Sequence, residues 1–485
     1  MKLSRRTFTL LAGASALNGL PAPRRAAAQS APDARYLFVI AAYGGASIID
    51  SFLPVTASES KNAATLTTYA DALVQRPNGS NLRCVAPLVD EVRTSPQLSQ
   101  TPFGITQAEF LARHGSDTAV MTVEHSSVSH ASAQERSMNG GGAQNRGRTI
   151  LETAAGAYGA GLALPVVNMS VGGYARPGRD TSYPVDLRQV EVQDARTFSI
   201  GMHGYQALRR PIESDLVARA RATRQRAEAA SVFATQFAGT KSWTEFQQLR
   251  QRAGTVEASG LLEKLLLNDI EGVSASQAAL RARSYLPSMT LDVFEASAAL
   301  AFLLVLHGAS YSVAIGPNNA VTRELAGGQA LTRVYPVNGF DNAHQSHRIA
   351  QSLCWSRALK VGDGLIRLLK ETEDPRHAGE ALWARSLVYF ATDFGREKAR
   401  PRDALDFGTG HDLNNGVVMV SPLLHGNRVY GGVDPSTCHT YGFDPATGAP
   451  APGTTMKEEQ VYGVIAQALG VDFPGRNSVP CMVKG

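Results

Sequence analysis

The chain has 485 residues, of which 44% are hydrophobic and 18% charged, a balance that supports a packed core and excludes global disorder. Its formal charge is +5, but Lys2, Arg5, Arg6, Arg24 and Arg25 all fall in the first 28 residues, which hold no acid, leaving 42 basic and 42 acidic groups beyond them. A neutral body lacks the cationic excess that neutralises phosphates, which excludes a broad surface for nucleic acid or anionic lipid.

In chain order, the N-terminus reads Ser4-Arg5-Arg6-Thr7-Phe8-Thr9-Leu10, then an apolar run to Leu17, then Ala26-Ala27-Ala28 before Gln29. A charged start, a short apolar stretch and a small-residue cleavage site make a secretory signal that is too short to remain in a bilayer. Arg5-Arg6 followed by Phe8 resembles the twin-arginine export signal, which usually continues with Leu and Lys where this chain has Thr9 and Leu10. Residues 1–28 are therefore expected to be removed near Ala28. Residues 29–485 would cross by the twin-arginine translocase already folded, with any metal in place, and act in the periplasm or outside the cell. No later segment has 18 uninterrupted apolar residues, so no stable membrane span is expected.

Short apolar runs follow at Tyr36 to Ala42, Ala119 to Val123, Pro165 to Met169, Tyr311 to Ile315, Leu387 to Ala391 and Val417 to Val420. Each is bounded by Gly, Ser, Asn or Asp, the pattern of strands buried on both faces. Between Gln345 and Lys370, Ala350, Leu353, Cys354, Val361, Leu365 and Leu368 recur at helical spacing. The predicted class is α/β, with a mostly parallel central sheet flanked by helices. Residues 211–284 are rich in Ala, Arg, Gln, Glu and Leu and contain no strand pattern; they read as a helical insertion. Arg219, Arg221, Arg224 and Arg226 there lack interleaved aromatics and stand near Glu213, Asp215 and Glu228, so they read as a solvated face and not as a nucleic-acid surface. Cys84, Cys354, Cys438 and Cys481 show no CxxC spacing, which leaves buried thiols or a Cys438–Cys481 disulfide.

Polar residues gather where these strands end, which is where open α/β sheets bind ligands. Asp50 follows the first strand through Tyr43-Gly44-Gly45. His125, Ser126, Ser127, Ser129 and His130 follow the second. Asp341, His344 and His347 come after the Tyr311 to Ile315 strand, and Asp393 and Arg396 after Leu387 to Ala391; His411-Asp412 stands 18 residues beyond Asp393. Singly, such an Asp reads as a helix cap and such a His as a surface residue. Together, carboxylates and imidazoles converging from several strand ends suit one or two divalent ions, zinc or manganese by donor type. Asn139-Gly140-Gly141-Gly142 lacks the lysine and helix context of a phosphate loop and reads as a turn.

The strand with Gly44-Gly45, the stretch Ser129-His130-Ala131-Ser132-Ala133-Gln134, Gly339-Phe340-Asp341, Asp393-Phe394-Gly395-Arg396 and Gly410-His411-Asp412, taken in order, resemble a twin-arginine-exported bacterial family. That family is catalogued as domain of unknown function 1501, and its fold belongs with the alkaline phosphatases and sulfatases. The resemblance implies an alkaline-phosphatase-like domain with metals at the strand ends. One ion would take Asp341, His344 or His347, and His411; a second would take Asp50, Asp393 and a hydroxyl nucleophile, with Ser129 nearest. Three features depart from the superfamily pattern. Phe394 stands where it has His after Asp, Gln345 occupies the usual His position, and His411-Asp412 reverses the last pair.

Among the roles, Ser129 can act as a metal-activated nucleophile or cap a helix, with Ser126, Ser127 and Ser132 competing for it. His130 can bind metal or protonate a leaving group, or simply orient its loop. Arg396 can clamp an anionic substrate or pair with a carboxylate. The expected function is exported, metal-dependent hydrolysis of a small anionic ester, phosphate or sulfate. The alternative is a periplasmic binding or assembly protein that keeps the fold without catalysis.

Overall fold

The computed structural model describes residues 34–77, 79–88, 103–142, 144–203, 214–258, 260–316, 320–324, 330–334, 339–471 and 477–485. The expected signal peptide at residues 1–28 lies outside them.

Eight strands form the central sheet: β1 (Tyr36–Ala42), β2 (Thr118–Glu124), β3 (Val166–Asn168), β4 (Val190–Glu191), β5 (Ser312–Ile315), β6 (Ser386–Thr392), β7 (Asn414–Val420) and β8 (Arg428–Tyr430). Their order is β8-β2-β7-β6-β1-β5-β3-β4. All neighbours run parallel except β7, which is antiparallel to both β6 and β2. Each apolar run singled out in the sequence is a strand of this sheet. The two additional strands, β4 and β8, have two and three residues, too few to show a pattern.

The runs are continuous because both faces are covered. Along β1, Tyr36, Phe38, Ile40 and Ala42 enter one hydrophobic cluster, while Leu37, Val39 and Ala41 enter another. The first cluster is closed by α1 (Gln107–His114), α7 (Gln277–Tyr285), α8 (Val293–Leu306) and α9 (His347–Lys370). The second is closed by α2 (His130–Asn139), α3 (Ile150–Tyr158) and α10 (Glu458–Ala468). Every residue of α8 from Val293 to Val305 is buried, which explains why that helix is apolar all round. Its one acid, Glu295, is neutralised by Lys360 at 2.7 Å. Helix α9 approaches the sheet closely at Gly362, where an added Cβ would meet the Phe390 ring at 2.7 Å. Fully burying Phe390 or Ile40 contributes about 1.5–3 kcal/mol each, so separating this helix from the sheet is costly.

Between 214 and 285 the described residues form α4 (Ser214–Ala229), α5 (Val232–Phe237) and α6 (Lys241–Ala258), then a single turn at Leu261–Lys264 and an irregular stretch that leads into α7. Helix α7 packs on α8 and α9 as part of the core layer, with Ala279 and Ala282 fully buried. All four cysteines are free thiols, and Cys84 and Cys438 are buried, so Cys438 and Cys481 form no disulfide. No described helix is long and apolar enough to cross a membrane.

Candidate metal centre

Strand register decides which loops meet. Ala42 of β1 pairs with Thr392 of β6, so the Tyr43-Gly44-Gly45 turn and Asp393 emerge side by side. The Asp393 carboxylate accepts the Gly44 amide at 3.1 Å and the Gly45 amide at 2.5 Å. Gly45 has φ +84°, and a Cβ there would lie 2.8 Å from Arg396 Nε and 2.9 Å from the Phe394 ring, so only glycine fits. Gln351 on α9 and Asn415 on β7 brace the same turn. Gln351 accepts from the Ser47 amide and donates to the Gly45 carbonyl, and Asn415 donates to the Ala46 and Phe394 carbonyls.

Three further segments converge on this turn. After Phe394 the chain forms a two-residue ribbon in which Arg396 pairs with His411. The 3-10 turn Gly339–His344 docks on β1 through the Phe340 amide, 3.0 Å from the Tyr43 carbonyl, and presents Asp341 and His344 together. His130 opens α2 after the β2 loop. Phe394, fully buried, is the floor beneath the imidazoles of His130 and His411, with ring centroids 4.7 and 4.2 Å away. Phe394 thus packs against the cluster.

The Asp341 Oδ1 atom is the focus. His130 Nε2 lies 3.2 Å from it, His344 Nε2 3.1 Å, His411 Nε2 3.5 Å and the Arg396 guanidinium 2.8 Å. His344 Nε2 and His411 Nε2 are 2.9 Å apart. His130, Asp341 and His411 can each offer one donor atom to a common ion, and among the described residues no other such group occurs. Bonds of about 2.0–2.1 Å in a tetrahedron separate ligand atoms by about 3.3 Å, close to the spacings seen here.

The outward nitrogens support the same reading. His130 Nδ1 faces Asp393 Oδ2 at 2.7 Å, and His411 Nδ1 donates to the Val128 carbonyl at 2.9 Å. A proton held on Nδ1 leaves the Nε2 lone pair pointing inward, the tautomer a metal requires. Burial lowers the pKa of His411, and the charge of Arg396 lowers it further, which keeps the ring neutral. Burial alone would also lower that of His130, but hydrogen bonds to Asp341 and Asp393 outweigh it and lift the value to about 9. For Asp341 partial burial opposes ionisation, yet hydrogen bonds from His130 and Arg396 hold it well below the usual carboxylate range. An ionised carboxylate, a neutral imidazole and an imidazole holding an exchangeable proton form a donor set that fits a divalent ion. His130 and His411 side chains are 23% exposed and Asp341 32%, so the cluster opens to solvent.

Not all the residues singled out from the sequence belong to this cluster. Asp50 and His347 form a separate, fully buried pair at 3.0 Å, with Tyr69 donating to Asp50 and Thr409 meeting the other His347 nitrogen at 2.9 Å. Burial would raise the Asp50 pKa, but the His347 charge and hydrogen bonds bring it down to about 2. Arg396 has no exposed surface; besides Asp341 it donates to the carbonyls of Gly44, Phe340 and Thr409. Ser129 is exposed at the N-terminus of α2, and its side chain makes no capping hydrogen bond. Ser126, by contrast, is engaged by Glu458 and Arg136. Gln134, 3.3 Å from Asp393, enters the sequence reading only within the 129–134 stretch, with no role at the site, and the carbonyl of Val128 is not singled out there. Gln134 had a signal, standing one helical turn after His130; a backbone carbonyl has none.

No protein-family model matches the chain, so membership of domain of unknown function family 1501 is unsupported, and no curated protein matches either. Among solved structures, the chain is similar to "Crystal structure of Ps i-CgsB", with a TM-score of 0.30 and 10% identity over 92% of this chain and 76% of that one. It is also similar to "Crystal structure of Ps i-CgsB in complex with k-i-k-neocarrahexaose", with a TM-score of 0.28 and 9% identity over the same shares. Likenesses this distant establish no chemistry for the chain, which rests on the cluster itself.

Proposed function

We propose that the protein is an exported, metal-dependent hydrolase of phosphate or sulfate esters with one divalent ion held by His130, Asp341 and His411, and His344 as the adjoining donor. The observation that carries this reading is the convergence of three Nε2 atoms on Asp341 Oδ1, with the outward nitrogens of His130 and His411 tied to oxygen acceptors. Three nitrogens and one carboxylate oxygen favour zinc, with manganese as the harder alternative. Bound there, such an ion would polarise an ester oxygen and acidify a hydroxyl or water.

The chain's own residues divide the remaining work. Ser129, unused as a cap and next to His130, is the hydroxyl best placed to act as nucleophile. The N-terminus of α2 presents backbone N–H groups to an anionic ester. Asp393 orients His130, and Arg396 fixes Asp341 instead of gripping substrate.

One observation favours a second reading, a binding or assembly protein without hydrolysis. Asp50 and Asp393, which a second ion would need, are committed to His347 and Tyr69 and to the Gly44 and Gly45 amides respectively. Metal analysis of folded, exported protein, joined to a phosphatase, phosphodiesterase and sulfatase panel on wild type and Asp341→Ala, separates the readings. Metal and ester turnover that both vanish in the variant support the hydrolase. Metal without turnover supports the binding protein, and no metal with identical inactivity in both proteins sinks the hydrolase.

A further inference from the structure

Glu458, the first residue of α10, is a buried carboxylate that lies outside the group of metal donors. Burying an ionised carboxylate is costly unless hydrogen bonds replace the lost water, so its partners are informative. Its Oε1 atom accepts the Ser126 amide at 2.7 Å and the Ser126 hydroxyl at 2.8 Å. The helix N-terminus on which it stands carries partial positive charge, which favours a carboxylate there. His125, also buried, has Nδ1 3.9 Å from the same oxygen, beyond hydrogen-bond reach, and burial pushes its pKa down, so that ring supplies no full charge. Arg136 on α2 reaches the Ser126 hydroxyl at 2.7 Å. The amide of Ser126 is held by Glu458.

What Ser126 carries gives this grip its meaning. Only Ser127, Val128 and Ser129 stand between it and His130. The Val128 carbonyl accepts His411 Nδ1 at 2.9 Å, and Ser129 immediately precedes His130 at the start of α2. The sheet pairing ends one residue earlier, where the His125 amide meets the Leu413 carbonyl at 2.7 Å, so Glu458 is the first hold beyond it. Two residues of chain span at most about 7 Å, so a shift of Ser126 is passed on to Val128. We propose that Glu458 is a positioning residue of the metal centre: it holds segment 126–129 so that the Val128 carbonyl keeps the His411 proton on Nδ1 and Ser129 stays beside His130. The inference rests on the metal-dependent reading above and adds to it the residue that sets its loop.

The test is the zinc affinity of the whole, metal-stripped protein, read by competition with a chromophoric chelator. Glu458→Ala should weaken it about tenfold, the lower end of the range for losing the outer partner of a metal-bound imidazole, because the carbonyl is displaced and not removed. Glu458→Gln keeps an oxygen for the Ser126 amide and should restore most of the affinity. Lys457→Met, which breaks the neighbouring, partly exposed pair with Glu124 at 2.9 Å, should leave it unchanged. Ser126→Ala, at an exposed position, covers the case in which Glu458→Ala fails to fold; losing one of the two bonds, it should cost about threefold. At saturating zinc, kcat for ester substrates in Glu458→Ala should stay low with KM nearly unchanged, since Ser129 has moved. A purely structural role would lower the melting temperature alone. Equal zinc affinity in wild type, Glu458→Ala and Ser126→Ala therefore overturns the inference, as does a loss in Glu458→Gln equal to that in Glu458→Ala. Wild type that binds no zinc sinks the metal-centre reading itself, an outcome distinct from zinc bound equally by all the proteins.

Discussion

His130 Nδ1 lies 2.7 Å from Asp393 Oδ2, and that carboxylate is itself pinned by the amides of Gly44 and Gly45. The ring is held from behind by a group that is fully buried, while its other nitrogen faces Asp341. A carboxylate behind a metal-binding imidazole fixes both its tautomer and its direction, and losing one typically costs 10–100-fold in affinity. Asp393→Asn should therefore weaken zinc binding by about that factor, read by competition with a chromophoric chelator on stripped protein. Unchanged affinity would leave Asp393 with a purely structural role.

Asp341→Ala removes the carboxylate and leaves the buried Arg396 guanidinium without its anionic partner. The expected loss is about 1–3 kcal/mol in urea unfolding, the range for stranding a buried polar group when the removed partner is partly solvated. Adding Arg396→Met should recover part of that stability without restoring metal binding. If the double variant is as unstable as the single one, Arg396 is held mainly by its carbonyl partners.

Ser129→Ala separates chemistry from folding. Because the hydroxyl caps nothing, stability should change by less than about 0.5 kcal/mol and metal content should not change. Ester turnover should be lost if Ser129 is the nucleophile, as measured with a chromogenic phosphate and a chromogenic sulfate ester. Full activity in the variant would move the nucleophile to water.

Asp50 gives a pH signature. Its folded pKa of about 2 lies below the usual carboxylate value, so its contribution to stability is complete above about pH 4 and is lost as the pH falls toward 2. Thermal unfolding between pH 6 and pH 2 should show a downward limb in that window. In Asp50→Asn the limb should flatten, with the midpoint at neutral pH already lowered.

Gly45→Ala tests the turn that carries the site. The added methyl meets the Arg396 side chain and the Phe394 ring at a backbone angle that L residues avoid. A cost of about 1–3 kcal/mol is expected from crowding alone. The same displacement pulls the Gly45 amide from Asp393, so metal affinity should fall together with melting temperature.

The strands were legible because each is buried on both faces, which demands an unbroken apolar run of the kind seen in Tyr36 to Ala42 and Leu387 to Ala391. The places where Asp and His gather were legible too, because strand ends are marked by Gly, Asp and His immediately after such runs. The sequence by itself therefore determined an α/β sheet and a pool of candidate donors. Which donors meet was decided only by tertiary structure. Asp341 and Asp50 are both acids near strand ends, and His344 and His347 stand three residues apart, yet the fold sends Asp341 and His344 to the open cluster and Asp50 and His347 into a closed pair. The physical reason is distance along the chain: His130 and Asp341 are 211 residues apart, and their contact depends on loops whose direction is set by the parallel register of β1 with β6 and by the docking of Phe340 on Tyr43. Local spacing cannot encode such a meeting, nor the burial that pairs Arg396 with the Asp341 carboxylate, one of the two roles its sequence context left open.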